Sequence, residues 1–475
     1  MSVKTVLPAD GVVAVEVPWG DEDGARNGDY RFLDVGLPAE IARLKAIGRL
    51  DAACAACTAM LGAGGVEPEL AACLRIERHR MARLARQFCV SRERALELIR
   101  AEWPEFTDGQ LDDLVERGRI DWRMIDGEQR FLGDFLDSLR VYPVEVPGLE
   151  LDAPSDIAAR DAMLAAMRER GFSERRITVR ARLEVPGARA GETVRAWLPI
   201  PAQAPQQSDI ELLSATDGAL VARQDAPART VFWESDALRS FEVVYRYRIR
   251  APYVDTERPA PARPAVADGS VDAADLGEER PHILFTPYLR ALTAHVVDGI
   301  ERPVDRARAI YDYVTRNVDY RYQPEYAQLD AIADACAKSL RGDCGVMALL
   351  FITMCRIAGV PARWQSGLYV ACDYIGPHDW AMFYTEEYGW LWADCSFGSS
   401  ARRAGDEVRR RHHFGNLDPW RMVANARFQA EFSPTFDEVR SDPYDNQMGE
   451  ASVDGRGLDS CEMVRTVELL EMAEV

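Results

Sequence analysis

A chain of 475 residues, 47% hydrophobic and 28% charged, has room for two or three domains and a sizeable core, in the composition range of soluble globular proteins. Its formal net charge of −20 lacks the basic footprint of a nucleic-acid binder and disfavours anionic membrane surfaces, so neither kind of partner is expected. Residues 1–10 have no apolar stretch of signal-peptide length and no run is long enough to span a bilayer. A cytoplasmic location with ten reduced cysteines is the expectation.

Taken in order, residues 1–172 read as a mainly helical region. It opens with a short valine-rich strand at Val12, Val13, Val15 and Val17. Thr107-Asp108-Gly109-Gln110 has capping-box spacing ahead of Leu111, Leu114 and Val115, and residues 120–128 suggest a hairpin turning at Asp126-Gly127. Residues 173–255 change period. Ile177, Val179, Ala181, Leu183 and Val185 alternate with polar residues, as do Phe241, Val243, Tyr245, Tyr247 and Ile249, which predicts a β-sandwich of half-buried antiparallel strands. Residues 256–279, rich in Pro, Ala and Asp, read as an exposed linker. A catalytic domain is expected over 280–450, with helices near 288–296 and 304–317. Residues 451–475 read as an acidic C-terminal tail with one possible helix at 462–472.

Within 280–450 the chain is organised around Arg341-Gly342-Asp343-Cys344-Gly345. From Cys344 to Cys355 there is no charged side chain, and Val346, Leu349, Leu350, Met354 and Ile357 recur at helical spacing, so a helix buried on nearly all sides is predicted. Asp343 can cap it, and Gly359 with Pro361 stops it. Cys344 then falls in the first turn, where the helix dipole favours a thiolate by up to ~2 kcal/mol, roughly 1.5 pKa units. That leaves a thiol only partly ionised at neutral pH, so a nucleophile there needs a second helper, normally an imidazole.

Downstream, residues 378–384 and 389–394 read as two aromatic-rich strands joined by a turn at 386–389. Symmetry about residue 386 sets His378 beside Asp394, with Cβ atoms about 5 Å apart. A carboxylate there orients an imidazole, and the imidazole can face Cys344 as base to nucleophile.

Arg341-Gly342-Asp343-Cys344-Gly345, then Ala358-Gly359-Val360-Pro361-Ala362-Arg363, His378-Asp379-Trp380 and Trp392-Ala393-Asp394 resemble, in order and spacing, the transglutaminase-like superfamily of papain-fold cysteine enzymes. The resemblance covers about residues 283–400. It implies a papain-like α+β core, here preceded by the β-sandwich and the helical region, with Cys344, His378 and Asp394 as the triad and no metal or organic cofactor. Relatives often place a tryptophan upstream of the cysteine to help hold an oxyanion. No tryptophan lies between Trp233 and Trp364 here, and Tyr320 or Tyr326 stands in as the donor.

The expected chemistry is acyl transfer on a peptide or amide substrate, through a thioester that passes to water. The alternatives are protein-glutamine transglutaminase activity and a non-catalytic scaffold that keeps the fold. Cys54-Ala55-Ala56-Cys57, with Cys73 and His79 after it, has metal or redox spacing but sits in an alanine-rich run, where helix packing is the better reading. The basic run Arg402-Arg403 and Arg409-Arg410-Arg411-His412-His413 reads as a solvated loop, or alternatively as a subsite for a substrate carboxylate. Residues 416–421 and 442–447 are turn-rich and read as structural. Trp380, Trp390 and Trp392 fall on one face by alternation, and packing onto the core helix is expected of them.

Overall fold

The computed structural model describes residues 2–5, 24–136, 139, 157–258 and 270–475. The fold is α+β, and the chain divides into two units: residues 7–154 with 321–330, and the remainder. The valine-rich strand expected at 12–17 lies outside the described residues.

The first unit is helical, as its periodicity predicts. Helices Ala39–Ala46, Leu50–Ala63 and Pro68–Gln87 bury Ile41, Leu50, Cys54, Cys57, Leu74 and Met81 together. Burial pushes the thiols of Cys54 and Cys57 up to about 12 and that of Cys73 up to about 11, so these cysteines are packed as neutral side chains. The capping box forms as read: Thr107 Oγ1 accepts from Gln110 N at 3.3 Å, and Gln110 Oε1 accepts from Thr107 N at 2.8 Å. The hairpin Trp122–Ile125 with Glu128–Phe131 turns at Asp126 (φ 47°) and Gly127 (φ 96°), two left-handed residues that suit a two-residue hairpin loop. Arg80, almost fully buried, donates to the Ala327 and Leu329 carbonyls at 2.7 and 3.2 Å and to Asp330 at 2.7 Å. That side chain ties residues 321–330 to this unit.

In the second unit, period-two patterning builds the sandwich. Strands Phe172–Glu184 and Ser240–Pro252 pair antiparallel along their full length, burying Ile177, Val179, Leu183, Phe241, Val243, Tyr245, Tyr247 and Ile249 on one face. Against them lies a sheet containing Val194–Pro199 and Thr230–Ser235, which contributes Val194, Ala196, Leu198, Val231 and Trp233 to the same core. Residues 462–472 are expected to be helical; residues 464–474 are not. They form a strand paired to Phe172–Glu184, and Glu450–Val453 pairs with Val194–Pro199. The local preference of Glu, Leu, Met and Ala for helix gives way to the ladder hydrogen bonds of the sheet, interrupted once between Leu469 and Glu471.

The papain-like part of this unit packs helices Pro287–Val296, Pro303–Asn317, Ile332–Ser339 and Cys344–Ile357 with an antiparallel sheet. Its strand order is Phe414–Gly415, Gly389–Ala393, Ile375–Thr385, Ala362–Val370 and Arg421–Asn425. Leu368, Val370, Ile375, Met422 and Ala424 of this sheet join the sandwich core. Gly367 permits the close approach of the last strand, since a Cβ there would stand 2.1 Å from the Met422 carbonyl oxygen. No described helix is long and apolar enough to cross a membrane.

The stretch expected as an exposed linker ends otherwise. Residues 259–269 lie outside the described residues, but Asp275 is fully buried. It takes two hydrogen bonds from Arg363, both 2.7 Å, and one from Arg427 at 2.6 Å. Burial opposes its ionisation, yet the two arginines prevail and hold its carboxyl below the usual range. Asp275→Asn should therefore lower stability by about 3 kcal/mol at pH 7, because two arginines lose a buried counter-charge. A depressed carboxyl stabilises the fold above its unfolded pKa and ceases to do so as pH falls through the folded value, so the gap between wild type and variant should close toward pH 2. Urea denaturation at several pH values checks both statements, and a gap that does not vary with pH would contradict them.

Candidate active site

The core helix starts where the sequence places it. Asp343 is its N-cap, its side chain accepting from Val346 N at 3.1 Å, and residues 345–356 are all buried. Cys344, half-buried, occupies the first turn. Its thiol donates to Asp379 Oδ2 at 3.2 Å. Burial, followed by the charges of Asp379 and Asp343, pushes this thiol well above its ordinary pKa. The dipole argument alone favours a thiolate; burial and two nearby carboxyls outweigh it, and the resting group is a neutral thiol.

His378 and Asp394 meet. His378 Nε2 lies 2.8 Å from Asp394 Oδ2, with both side chains buried. The strand register, however, differs from the symmetric one. Ala381 pairs with Ala393 and Thr385 with Gly389, so the hairpin centres on residue 387 and Asp394 lies diagonally across from His378. The cause is the loop: residues 386–388 end in Gly389 at φ 75°, the left-handed residue that closes a three-residue hairpin loop. A two-residue shift preserves the face, so the contact survives.

Asp394 also caps the following helix. Its Oδ1 accepts from Phe397 N at 2.9 Å and Ser396 Oγ at 2.8 Å. Arg421, fully buried, donates to Asp394 Oδ2 at 2.6 Å and pairs with Asp418 at 2.7 Å. Burial works against a carboxylate here, but His378 and Arg421 hold Asp394 well below the usual range. His378 is lowered, chiefly by burial, with the Arg421 charge acting in the same sense against the pull of Asp394. An ionised Asp394 only accepts, which assigns the proton to Nε2 and leaves Nδ1 with its lone pair. Residues 416–421 thus do more than close a turn, and only their folding back onto Asp394 reveals it.

Cys344 and His378 share no hydrogen bond among the described residues. The sulfur rests on Asp379, the next residue of the strand, whose side chain leaves by the opposite face from His378. Asp379 in turn accepts from Gln447 Nε2. Tyr320 pairs with Gly342 in a two-residue parallel ladder just before Cys344, whereas Tyr326 belongs to the other unit. Tyr374 lies within electrostatic range of the thiol, a neighbour that sequence spacing does not single out.

The three tryptophans share a face, as alternation requires, but pack with Met382, Leu417 and Val423. The core helix instead meets the other face, where Phe351 lies 5.9 Å from Phe383. Gln365 Oε1 accepts from Trp380 at 2.8 Å and Trp392 at 3.3 Å, locking their edges. The basic run divides: Arg402, Arg403 and Arg411 are exposed, as a solvated stretch predicts, and the remainder is packed. Residues 407–412 form a helix in which buried Arg410 pairs with Glu407 and Asp312, and Arg409 pairs with Asp161 and Asp406. His412 and His413 are buried and pushed down to about 3 and 4 by that burial, so they are neutral.

Residues 290–395 match the family model described as the transglutaminase-like superfamily. No curated protein matches the chain. Among solved structures, a candidate cysteine protease from Cytophaga hutchinsonii is 16% identical with a TM-score of 0.40, over 64% of this chain and 91% of its own. The periplasmic domain of TgpA from Pseudomonas aeruginosa is also 16% identical, with a TM-score of 0.28, over 56% of this chain and 99% of its own. These remote likenesses carry no function across. The matched segment contains Cys344, His378 and Asp394 in the order read from the sequence, and through it the chain carries a domain of the transglutaminase-like superfamily.

Proposed function

We propose that this protein is a cysteine-dependent acyl-transfer enzyme that hydrolyses amide bonds through a thioester on Cys344. The observation that carries the reading is the buried His378–Asp394 pair, which leaves Nδ1 as a base on the strand adjoining the helix that begins at Cys344. Because thiol and imidazole are both neutral at rest, the base acts during attack and no preformed ion pair is needed. As the sulfur leaves Asp379 and attacks the carbonyl carbon, His378 Nδ1 takes the thiol proton. The Cys344 backbone N–H, with Tyr320 as side-chain donor, receives the developing oxyanion. The imidazolium protonates the leaving amine, the C–N bond breaks and the thioester remains. Water then attacks, giving its proton to His378, and the acid and the thiol are released.

Transfer to an amine instead of water needs a site that positions the amine and excludes water. Trp380, Trp390 and Trp392 are buried in the core with Leu417 and Val423, which supports hydrolysis over an apolar amine tunnel. The scaffold reading has one observation in its favour, the thiol resting on Asp379. Glutamine and γ-glutamyl peptides presented with and without millimolar primary amine, and analysed by mass spectrometry, separate the three. Cleavage with little adduct, abolished in Cys344→Ala, is expected. Dominant adduct favours the transglutaminase, and no product of either kind favours the scaffold.

Two variants probe the base. Asp394→Asn should reduce turnover by about 10²- to 10⁴-fold, because the imidazole is left in the wrong tautomer. Arg421→Gln removes a cation that keeps His378 neutral, so the His378 pKa should rise and the acid limb of the kcat/KM–pH profile should move to higher pH. It should also cost about 3–5 kcal/mol of stability by leaving Asp418 and Asp394 buried without that partner. An unmoved acid limb in folded Arg421→Gln would contradict the assignment of His378 as base.

A further inference from the structure

Asp379 is buried, follows His378 within the strand Ile375–Thr385, and accepts a hydrogen bond from the thiol of Cys344. Any buried carboxyl needs hydrogen-bond partners; here one of the two oxygens meets that need with the Cys344 thiol. Gln447 Nε2 donates to Oδ1 while the thiol occupies Oδ2. Gln447 belongs to a segment fixed by several independent bonds. Ser366 Oγ donates to Asp445 Oδ1 at 2.6 Å, Asn425 Nδ2 to the Asn446 carbonyl at 2.9 Å, and Gly449 N to Asn446 Oδ1 at 2.9 Å. Glu450 accepts from Ser441 N and Asp442 N at 2.9 and 2.8 Å. The carboxyl is therefore aimed by the fold.

We propose that Asp379 is a positioning residue for Cys344: anchored by Gln447, its carboxyl binds the thiol proton and holds the sulfur on the far face of the strand from His378 until substrate displaces it. The proposal rests on Cys344 being the nucleophile. Its consequence is a resting enzyme whose cysteine is protected from adventitious alkylation and oxidation. The groups that face Asp379 are Asp445, Asp343, Asp442 and the thiol itself; those that face the thiol are Asp379, Asp343 and Tyr374. Burial and Asp442 push Asp445 up to about 7, and burial with Asp445 pushes Asp379 up as well. All the charge able to develop around the sulfur from these groups is negative, and it opposes ionisation of Cys344.

The test is the pH profile of Cys344 alkylation by iodoacetamide in the full chain, read by peptide mass spectrometry, with the exposed Cys372 and Cys461 as internal references. Asp379→Asn keeps the shape and removes the carboxyl that can become negative beside the sulfur. It should speed Cys344 labelling at pH 7 at least tenfold relative to the reference thiols and move the profile midpoint to lower pH. Gln447→Ala loosens the anchor and should move both in the same direction by less. A residue with only a structural role would change the melting temperature and leave the profile where it was. Profiles superimposable on wild type in folded Asp379→Asn overturn the proposal. Where Asp379→Asn does not fold, an unmoved profile in Gln447→Ala does so. The enzymatic reading fails separately: no turnover of any amide substrate by wild type, together with a shifted profile in Asp379→Asn, removes the chemistry and keeps the positioning role.

Discussion

A carboxylate buried without water is tolerated only where opposite charge and hydrogen bonds replace its hydration, and Asp394 is the place where this chain meets that demand. Four groups converge on it: the Arg421 guanidinium, the His378 ring, the Ser396 hydroxyl and the Phe397 backbone N–H. Each belongs to a different structural need. Arg421 opens the last strand of the sheet, His378 lies on the central strand, and Ser396 with Phe397 opens the helix that leaves the hairpin. Removing the charge would loosen a helix start, strand packing and an imidazole at once. The site is thus a by-product of satisfying one ion, and its rigidity comes from that satisfaction.

The same cluster decides what chemistry is available. Burial, with Arg421 acting in the same sense, keeps the imidazole neutral, while Asp394 fixes which nitrogen carries the proton. On the other face of the strand, Asp379 and its neighbours keep the thiol neutral. A neutral imidazole on one face of the strand and a neutral thiol held on Asp379 are, under the proposed function, a base and a nucleophile at rest in contrast to an ion pair. On that proposal substrate binding has most to accomplish, since it has to draw the sulfur off Asp379.

Much of this was legible in the sequence wherever one local pattern sufficed. The uncharged run after Asp343 specified the core helix, the alternation in 172–184 and 240–252 specified the sandwich, and Thr107 with Gln110 specified a helix start. The His378–Asp394 contact was legible too, although the register was not, because a left-handed Gly389 adds a residue to the loop that symmetry does not count. What escaped was set by distant partners. Residues 462–472 look helical alone, but Val464–Glu474 becomes a strand where Phe172–Glu184 offers an edge. Asp275 reads as linker until Arg363 and Arg427 close on it. Arg421 and Gln447 act on residues 27 and 68 positions away, separations that no periodicity encodes.

Buried Asp394 holds the His378 ring neutral with its proton on Nε2, and the proposed function depends on that state. Imidazole ¹⁵N NMR of the full chain, followed through a pH titration, reads tautomer and charge directly. The account predicts a His378 ring that is protonated on Nε2 alone at pH 7 and takes its second proton only below the ordinary histidine pKa of about 6.5. A ring protonated on Nδ1, or one already charged at pH 7, would contradict it.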